Sequence, residues 1–564
     1  MIRLIHSAIP KPHAGVTVIN LIAAAFLVCC ANGPFWTAFI NKIGGLATAN
    51  HLAFVLMTGL SLCMAFNILF SFFSFSAVHK PFLIVVFCAA AIVSYFMGSY
   101  GIVIDQKMIT NLLETDVREA SEQLTWPLFS HFLLLGVLPS TLLLVTRVIY
   151  RPWRSELLVL SGVMLGSAVL LVAIVMADFK EFVLFGRKNI ELRMYINPTY
   201  PIYSLSKTVK RNWQGTHGEA LKVVAADAKR PANTPRTAVV LVVGEAARAE
   251  QFSLNGYARA TNPQLESRDV FSFTQVQSIG TDTAESLPGM FSHLGRAHYS
   301  RAEAKRYENL LDILQRTGVR VVWRDNNSGS KGVADRVRFE DLANEKDSAL
   351  CSSAGCYDEI LLRDLGEMLS SNAGEMLIVL HQKGSHGPSY YKRSPKNFKQ
   401  FLPECSQDDV QDCDQQSIIN AYDNTIVYTD YVLDKVIDLL NAQSYATAML
   451  YTSDHGQSLG ENNIYLHGLP YAIAPCQQTH VPMIFWASCS YLREKNIDQD
   501  LLRKHQTDRF SHDYLFHSLL GLFNVTTDVY RPELDLFQSV RRTSTATAGI
   551  WRGYFWNIAQ INFQ

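Results

Sequence analysis

The hydrophobic pattern divides the chain into two unlike parts. Five long apolar runs occupy the first third, at 18–40, 52–75, 81–104, 127–149 and 157–177. Each is close to the roughly 20 residues that a helix needs to cross about 30 Å of hydrocarbon. Basic and acidic residues are nearly absent inside them, and His131 sits near the start of the fourth. Buried core helices could share this composition, but five in succession with short polar breaks point to a membrane bundle. The first run is long, shows no clear small-residue cleavage site and is followed by further spans, which argues against a cleaved signal peptide.

Beyond residue 236 the period changes. Short β-branched or apolar runs at 237–243, 319–323, 376–380 and 448–451 alternate with helix-like stretches such as 307–317 and 418–440. Fully apolar short strands alternating with helices predict a largely parallel sheet covered on both faces. Chemistry in such a sheet is expected beyond the carboxyl ends of the strands. The expected organisation is a five-helix membrane domain at 1–177, a connector at 178–236, a soluble α/β domain at 237–542 and a tail of unassigned role at 543–564. The connector carries Arg187, Lys188, Arg193, Lys207, Lys210 and Arg211. It reads equally as a solvated helical linker or as an amphipathic element on anionic headgroups.

Charge then orients the bundle. Arg3, Lys11, His79, Lys80, Arg147, Arg151 and Arg154 fall on one side. The third break instead holds Asp105, Glu114, Asp116, Glu119 and Glu122 against Lys107 and Arg118. The positive-inside rule places the first set in the cytoplasm, so five spans leave the C-terminal domain outside, in the periplasm of a bacterium. Across 564 residues the 50 basic and 50 acidic side chains cancel, so nothing suggests a nucleic-acid partner.

Cysteines agree with an oxidising compartment. Cys29, Cys30, Cys63 and Cys88 lie in the apolar runs as fillers, while Cys351 with Cys356 and Cys405 with Cys413 form close pairs in polar stretches. Such pairs predict short-loop disulfides; a zinc site is the weaker reading because neither pair is C-x-x-C.

Candidate chemistry follows the strands. After the first comes Gly244-Glu245-Ala246-Ala247-Arg248, after the third His381 and then Ser385-His386-Gly387-Pro388, and after the fourth Ser453-Asp454-His455-Gly456, with His467 soon after. One loop histidine would be weak evidence. Glu, Asp and His gathered at several strand ends offer oxygen and nitrogen ligands suited to zinc.

The stretch 242–257, VVGEAARAEQFSLNGY, resembles the first metal loop of the lipid A phosphoethanolamine transferases, the family that includes the mobile colistin-resistance enzymes. The resemblance continues in 325–333 (DNNSGSKGV), 381–388 (HQKGSHGP), 421–424 (AYDN) and 453–475 (SDHGQSLGENNIYLHGLPYAIAP). It implies an alkaline-phosphatase-like, sulfatase-like α/β domain on a multi-span α-helical membrane domain in the bacterial inner membrane. It implies ping-pong transfer of phosphoethanolamine from phosphatidylethanolamine to a phosphate of lipid A or lipopolysaccharide, with zinc as cofactor; a monomer is expected. By position, Glu245, Asp454 and His455 would ligate zinc, His386 and His467 match histidines for a second metal or for the donor phosphate, and Lys331 falls in the same phosphoethanolamine-contacting loop as Asn327 and Ser328. Asn327 and Ser328 match a phosphoethanolamine-contacting loop, and Asn111, Thr115 and Glu119 match residues at the ethanolamine head, where a carboxylate complements an ammonium.

The resemblance also implies a nucleophilic threonine directly after the metal-binding glutamate, where this chain has Ala246. A methyl group cannot attack phosphorus, so the expectation is a chain inactive as it stands. Thr281, Thr283 and Ser286 match other family positions. Gln457 replaces a family glutamate, and Ile279 and Gly289 stand where many members have a disulfide. A silent zinc- and lipid-binding homologue is the alternative. A sulfatase or phosphodiesterase is the third reading, although the C/S-x-P-x-R context of sulfatases is absent from the metal loop.

Overall fold

A computed structural model describes residues 12–114, 123–215, 221–352, 354–408 and 410–542. Thr115, Glu119 and the tail at 543–564 lie outside the described residues, as do Arg3, Lys11, Asp116, Arg118 and Glu122. Four helices are long and apolar enough to cross a membrane: α3 (Ala49–Ser71), α4 (His79–Tyr100), α6 (Trp126–Val145) and α7 (Trp153–Ala177). A fifth span is formed if α1 (Val16–Cys30) and α2 (Gly33–Lys42) count together, though they meet at 60°. The bend follows from Pro34, which has no N–H to continue the helix. Backbone groups freed at the break need partners in an apolar setting. Asn197 supplies one, its amide donating to the carbonyls of Ala31 (3.0 Å) and Ala90 (2.8 Å), while Asn32 donates to the Asn197 carbonyl (2.7 Å).

At the end assigned to the cytoplasm, Lys80 Nζ donates to the carbonyls of Leu144 (3.1 Å) and Thr146 (2.8 Å), a favourable cation at the C-terminus of α6. At the opposite end a short helix, α5 (Gln106–Glu114), follows α4. The connector folds mainly as α8 (Phe179–Lys188) and α9 (Thr199–Gly215), which expose Phe179, Leu184, Ile202 and Val209 between their cations.

The second half is built on one eight-stranded sheet. Its strands in chain order are β1 (Thr237–Gly244), β2 (Phe271–Gln277), β3 (Arg320–Asp325), β4 (Arg338–Asp341), β5 (Glu375–His381), β6 (Ala446–Ser453), β7 (His480–Ala487) and β8 (Arg509–Ser511). The spatial order is β8-β2-β7-β6-β1-β5-β3-β4, and β7 alone runs against its neighbours. All four apolar runs seen in the sequence are strands here. In β1, Val239, Leu241 and Val243 enter one apolar core, and Ala238, Val240 and Val242 the other. Burial on both faces is why β1 shows no polar alternation. The central strands β1, β5 and β6 are parallel, so Gly244, His381 and Ser453 end at the same edge. Cys351–Cys356 and Cys405–Cys413 are both disulfides, as their spacing predicts.

Candidate metal and phosphoryl-transfer site

Glu245, Asp454 and His455 meet beyond the ends of β1 and β6, with one donor atom from each inside a 4.8 Å span. All three are fully buried. His455 Nδ1 lies 2.8 Å from the Gly456 carbonyl, so Nδ1 carries the proton and Nε2 points into the cluster. His455 Nε2 is 3.3 Å from Glu245 Oε1 and 3.4 Å from Asp454 Oδ2. Neither oxygen has a hydrogen-bond partner among the described residues. Two buried carboxylate oxygens aimed at one imidazole nitrogen cost free energy unless a cation joins them. This donor set fits a divalent metal.

Electrostatics agree. Burial pushes the Asp454 carboxyl up to about 6, and the Glu245 charge adds to it. Burial opposes charge on both partners across the cluster, but His455 holds Glu245 well below the carboxylate range. Asp454 and Glu245 in turn raise His455 to about 10. The cluster thus retains a proton where a metal would supply the positive charge.

The sequence reading missed the nearest hydroxyl. Thr283, set aside there, donates from Oγ1 to Glu245 Oε2 at 3.0 Å and lies 3.3 Å from His455 Nε2. An oxygen therefore does sit within reach of the cluster, contrary to the expectation built on Ala246. Thr283 is the first residue of α10 (Thr283–Met290), whose N-cap Asp282 accepts from the Glu285 N–H at 3.0 Å. A cap of this kind contributes about 1 kcal/mol to the helix start, which fixes the Thr283 backbone. The missed signal was the capping pattern Asp282-Thr283-Ala284-Glu285, an aspartate ahead of an acidic first turn.

Ala246 is a backbone element of the site. Its φ of 54° is left-handed, its N–H donates to Asp454 Oδ1 (3.2 Å) and its carbonyl accepts from Tyr422 Oη (2.7 Å). Tyr422 also accepts from the Arg248 N–H (2.9 Å), clamping the turn after β1. Asn327, expected at the substrate, donates to Glu245 Oε2 (2.8 Å) and so fixes that carboxylate. Ser328 accepts from Lys331 Nζ through its hydroxyl (2.9 Å) and its carbonyl (3.0 Å).

His467 packs beside His455 with ring centroids 4.3 Å apart, and beside His386 at 5.8 Å. His467 Nδ1 donates to Gln457 Oε1 (2.7 Å), while Gln457 Nε2 donates to Tyr390 Oη (2.8 Å). The glutamine aims His467. Ile279 and Gly289 face each other, since a Cβ on Gly289 would lie 2.8 Å from Ile279 Cγ2. The branched isoleucine fills the room that the expected disulfide would take.

His386 and His467 also close one end of a cavity of about 700 Å³. The rest of its wall is mostly apolar and comes from the membrane half, with Ile92, Val93, Phe96, Phe129 and Phe132, and with Asn111 from α5. The loops carrying His386 and His467 and the bundle thus share one space.

Comparison with known proteins decides what this architecture is. A family model described as Phosphoethanolamine transferase EptA/EptB matches residues 62–213, and one described as Sulfatase matches 237–525. The chain is 37% identical over 547 residues to phosphoethanolamine transferase EptA of Escherichia coli K12, covering 95% of this chain and 98% of that protein. The chain belongs to the EptA phosphoethanolamine transferase family. Phosphatidylethanolamine transferase Mcr-1 of Escherichia coli is 39% identical over 522 residues, covering 90% of this chain and 94% of Mcr-1. The integral membrane EptA of Neisseria meningitidis superposes with a TM-score of 0.90 at 33% identity, over 94% of this chain and 100% of that one. The EptA architecture therefore holds for both halves: a helical membrane domain carrying a sulfatase-like catalytic domain.

Proposed function

We propose that this chain transfers phosphoethanolamine from phosphatidylethanolamine to a phosphate of lipid A through the Thr283 hydroxyl, with zinc held by Glu245, Asp454 and His455. The observation that carries the reading is the position of Thr283 Oγ1, 3.0 Å from Glu245 Oε2 inside the buried cluster. A bound zinc would act as a Lewis acid, making a hydroxyl a competent nucleophile and offsetting phosphoryl charge.

The protein's own groups account for the rest. The donor places its acyl chains in the apolar cavity and its phosphate at His386 and His467. Glu245 Oε2 is the first acceptor for the Thr283 proton. The Thr283 Oγ1–P bond forms as the P–O bond to glycerol breaks, and His467 or His386 gives the departing diacylglycerol oxygen its proton. Lys331 balances charge on the transferring group. Asn111, Thr115 and Glu119 hold the ethanolamine end. After diacylglycerol leaves, a protonated oxygen of the lipid A phosphate attacks phosphorus and passes its proton to the histidine that protonated diacylglycerol, while the P–Oγ1 bond breaks and Thr283 takes back the proton held by Glu245. Two bulky lipids use one periplasmic site in turn, which lowers affinity for polymyxins by masking acceptor charge.

Mass spectrometry of lipid A from cells expressing the chain tests this. The chain as given should add a phosphoethanolamine mass and Thr283→Ala should not. Modification by Thr283→Ala, or none by the chain as given, overturns the assignment.

A further inference from the structure

Lys107 on α5 reaches across from the membrane half to the helix that carries Thr283. Its Nζ lies 2.8 Å from Glu285 Oε1, with Glu285 largely buried and Lys107 partly exposed. Glu285 is two residues beyond Thr283 on α10, and its N–H is the one that caps on Asp282. The Glu285 stem has little freedom. A Cβ on Gly280 would lie 3.1 Å from Glu285 Cβ and 2.7 Å from Ser286 Oγ, so bare backbone packs against it. Tyr299 Oη donates to the Glu285 carbonyl at 2.9 Å from the other side. A pull on the Glu285 carboxylate is therefore passed to the start of α10.

The same short helix touches the other reactive loop. A Cβ on Gly468 would stand 2.7 Å from Met108 Cε, so the residue after His467 is fitted against α5. Met108, Ile109 and Leu112 of α5 also line the apolar cavity. One helix of the membrane half thus contacts the donor space, the His467 loop and, through Lys107, the Thr283 helix.

From this geometry we infer that Lys107 is a positioning residue for phosphoryl transfer: its ion pair with Glu285 docks α10 onto the membrane half and holds Thr283 Oγ1 at the cluster. This rests on Thr283 being the nucleophile. It predicts that docking of the two halves sets turnover, because a hydroxyl displaced by a fraction of an ångström loses its attack geometry.

The test uses the full-length protein in nanodiscs, release of diacylglycerol from a fluorescent phosphatidylethanolamine, and metal content. Lys107→Ala and Lys107→Gln should each lower turnover about fivefold, the upper range for a partly exposed pair, with donor KM and zinc content within about twofold of the parent. Lys107→Arg should keep most of the turnover. Lys107→Glu should lose more, by setting like charges together, and Lys107→Glu with Glu285→Lys should recover at least half. Parental turnover in Lys107→Ala and Lys107→Gln overturns the inference. So does an exchanged pair no better than Lys107→Glu, or a loss that follows zinc content. Activity in Thr283→Ala would instead remove the reading on which it rests.

Discussion

Thr283 Oγ1 stands 3.0 Å from Glu245 Oε2 although 38 residues separate the two in the chain. Glu245 opens the turn after the central strand β1, and Thr283 begins a helix after β2. Their meeting places at the cluster a hydroxyl that Ala246 does not provide, and on the function proposed above it removes the consequence expected of the alanine.

Two substitutions should therefore behave oppositely. Thr283→Ala is expected to lower transfer by several orders of magnitude, as loss of a covalent nucleophile does. Ala246→Thr is expected to give no gain, since residue 246 acts through its backbone and a β-branched side chain is strained at its left-handed φ of 54°. Phosphopeptide mapping after incubation with donor should find the label on Thr283. A label elsewhere, or a large gain from Ala246→Thr, would return the nucleophile to position 246.

Metal content should separate ligands from the nucleophile. Asp454→Ala and His455→Ala each remove one of three buried donors and should lower zinc per chain by at least about tenfold at limiting metal. Thr283→Ala leaves all three donors and should retain zinc. Elemental analysis after dialysis reads this directly, and equal zinc in all variants would sink the ligand assignment.

Gln457 should matter through His467. Gln457→Leu removes the acceptor for His467 Nδ1 and the partner of Tyr390 Oη. Loss of such an orienting partner typically costs about 10- to 100-fold. The loss should fall on turnover while bound zinc is unchanged. Parental turnover would show that His467 needs no aiming.

The cavity should select the donor by its tails. Val93→Trp would fill part of the apolar wall near Phe96 and Phe129. The KM for a long-chain phosphatidylethanolamine should rise several-fold, and for a short-chain analogue it should rise less. Equal effects on both would place the acyl chains elsewhere.

Asp430 should make the fold weaken as pH rises. Burial pushes its carboxyl up to about 7, helped by Asp434 and Glu266, against the backbone N–H groups of Gln264 and Leu265. An unfolded aspartate titrates near about 3.9. Between these values the folded state binds more protons than the unfolded one, so stability falls from about pH 4 to about pH 7 and levels off above. Thermal unfolding in detergent should show this slope, and Asp430→Asn should flatten it. Identical slopes in both proteins would contradict the burial argument.

Much of this protein was written locally. Long apolar runs must leave water, so the spans could be read from composition. The four central apolar runs could be read as strands because both faces of such a sheet are covered. Glu245, Asp454 and His455 were legible because they directly follow those strands, and parallel order brings strand ends to one edge. The disulfides were legible because close cysteine pairs need little help from the fold.

The rest depended on distance through space. The backbone groups left open at the bend between α1 and α2 are satisfied by Asn197, which is 165 residues from Asn32 in the chain. Gln457 looked like a lost carboxylate until Tyr390 and His467 were seen on its two ends. Thr283 carries no strand-end mark, and only the packing of α10 beside the cluster shows what its hydroxyl faces. Sequence periodicity reports which side of an element is apolar. It does not report which side chains from different elements converge, and that convergence is where the chemistry of this site lies.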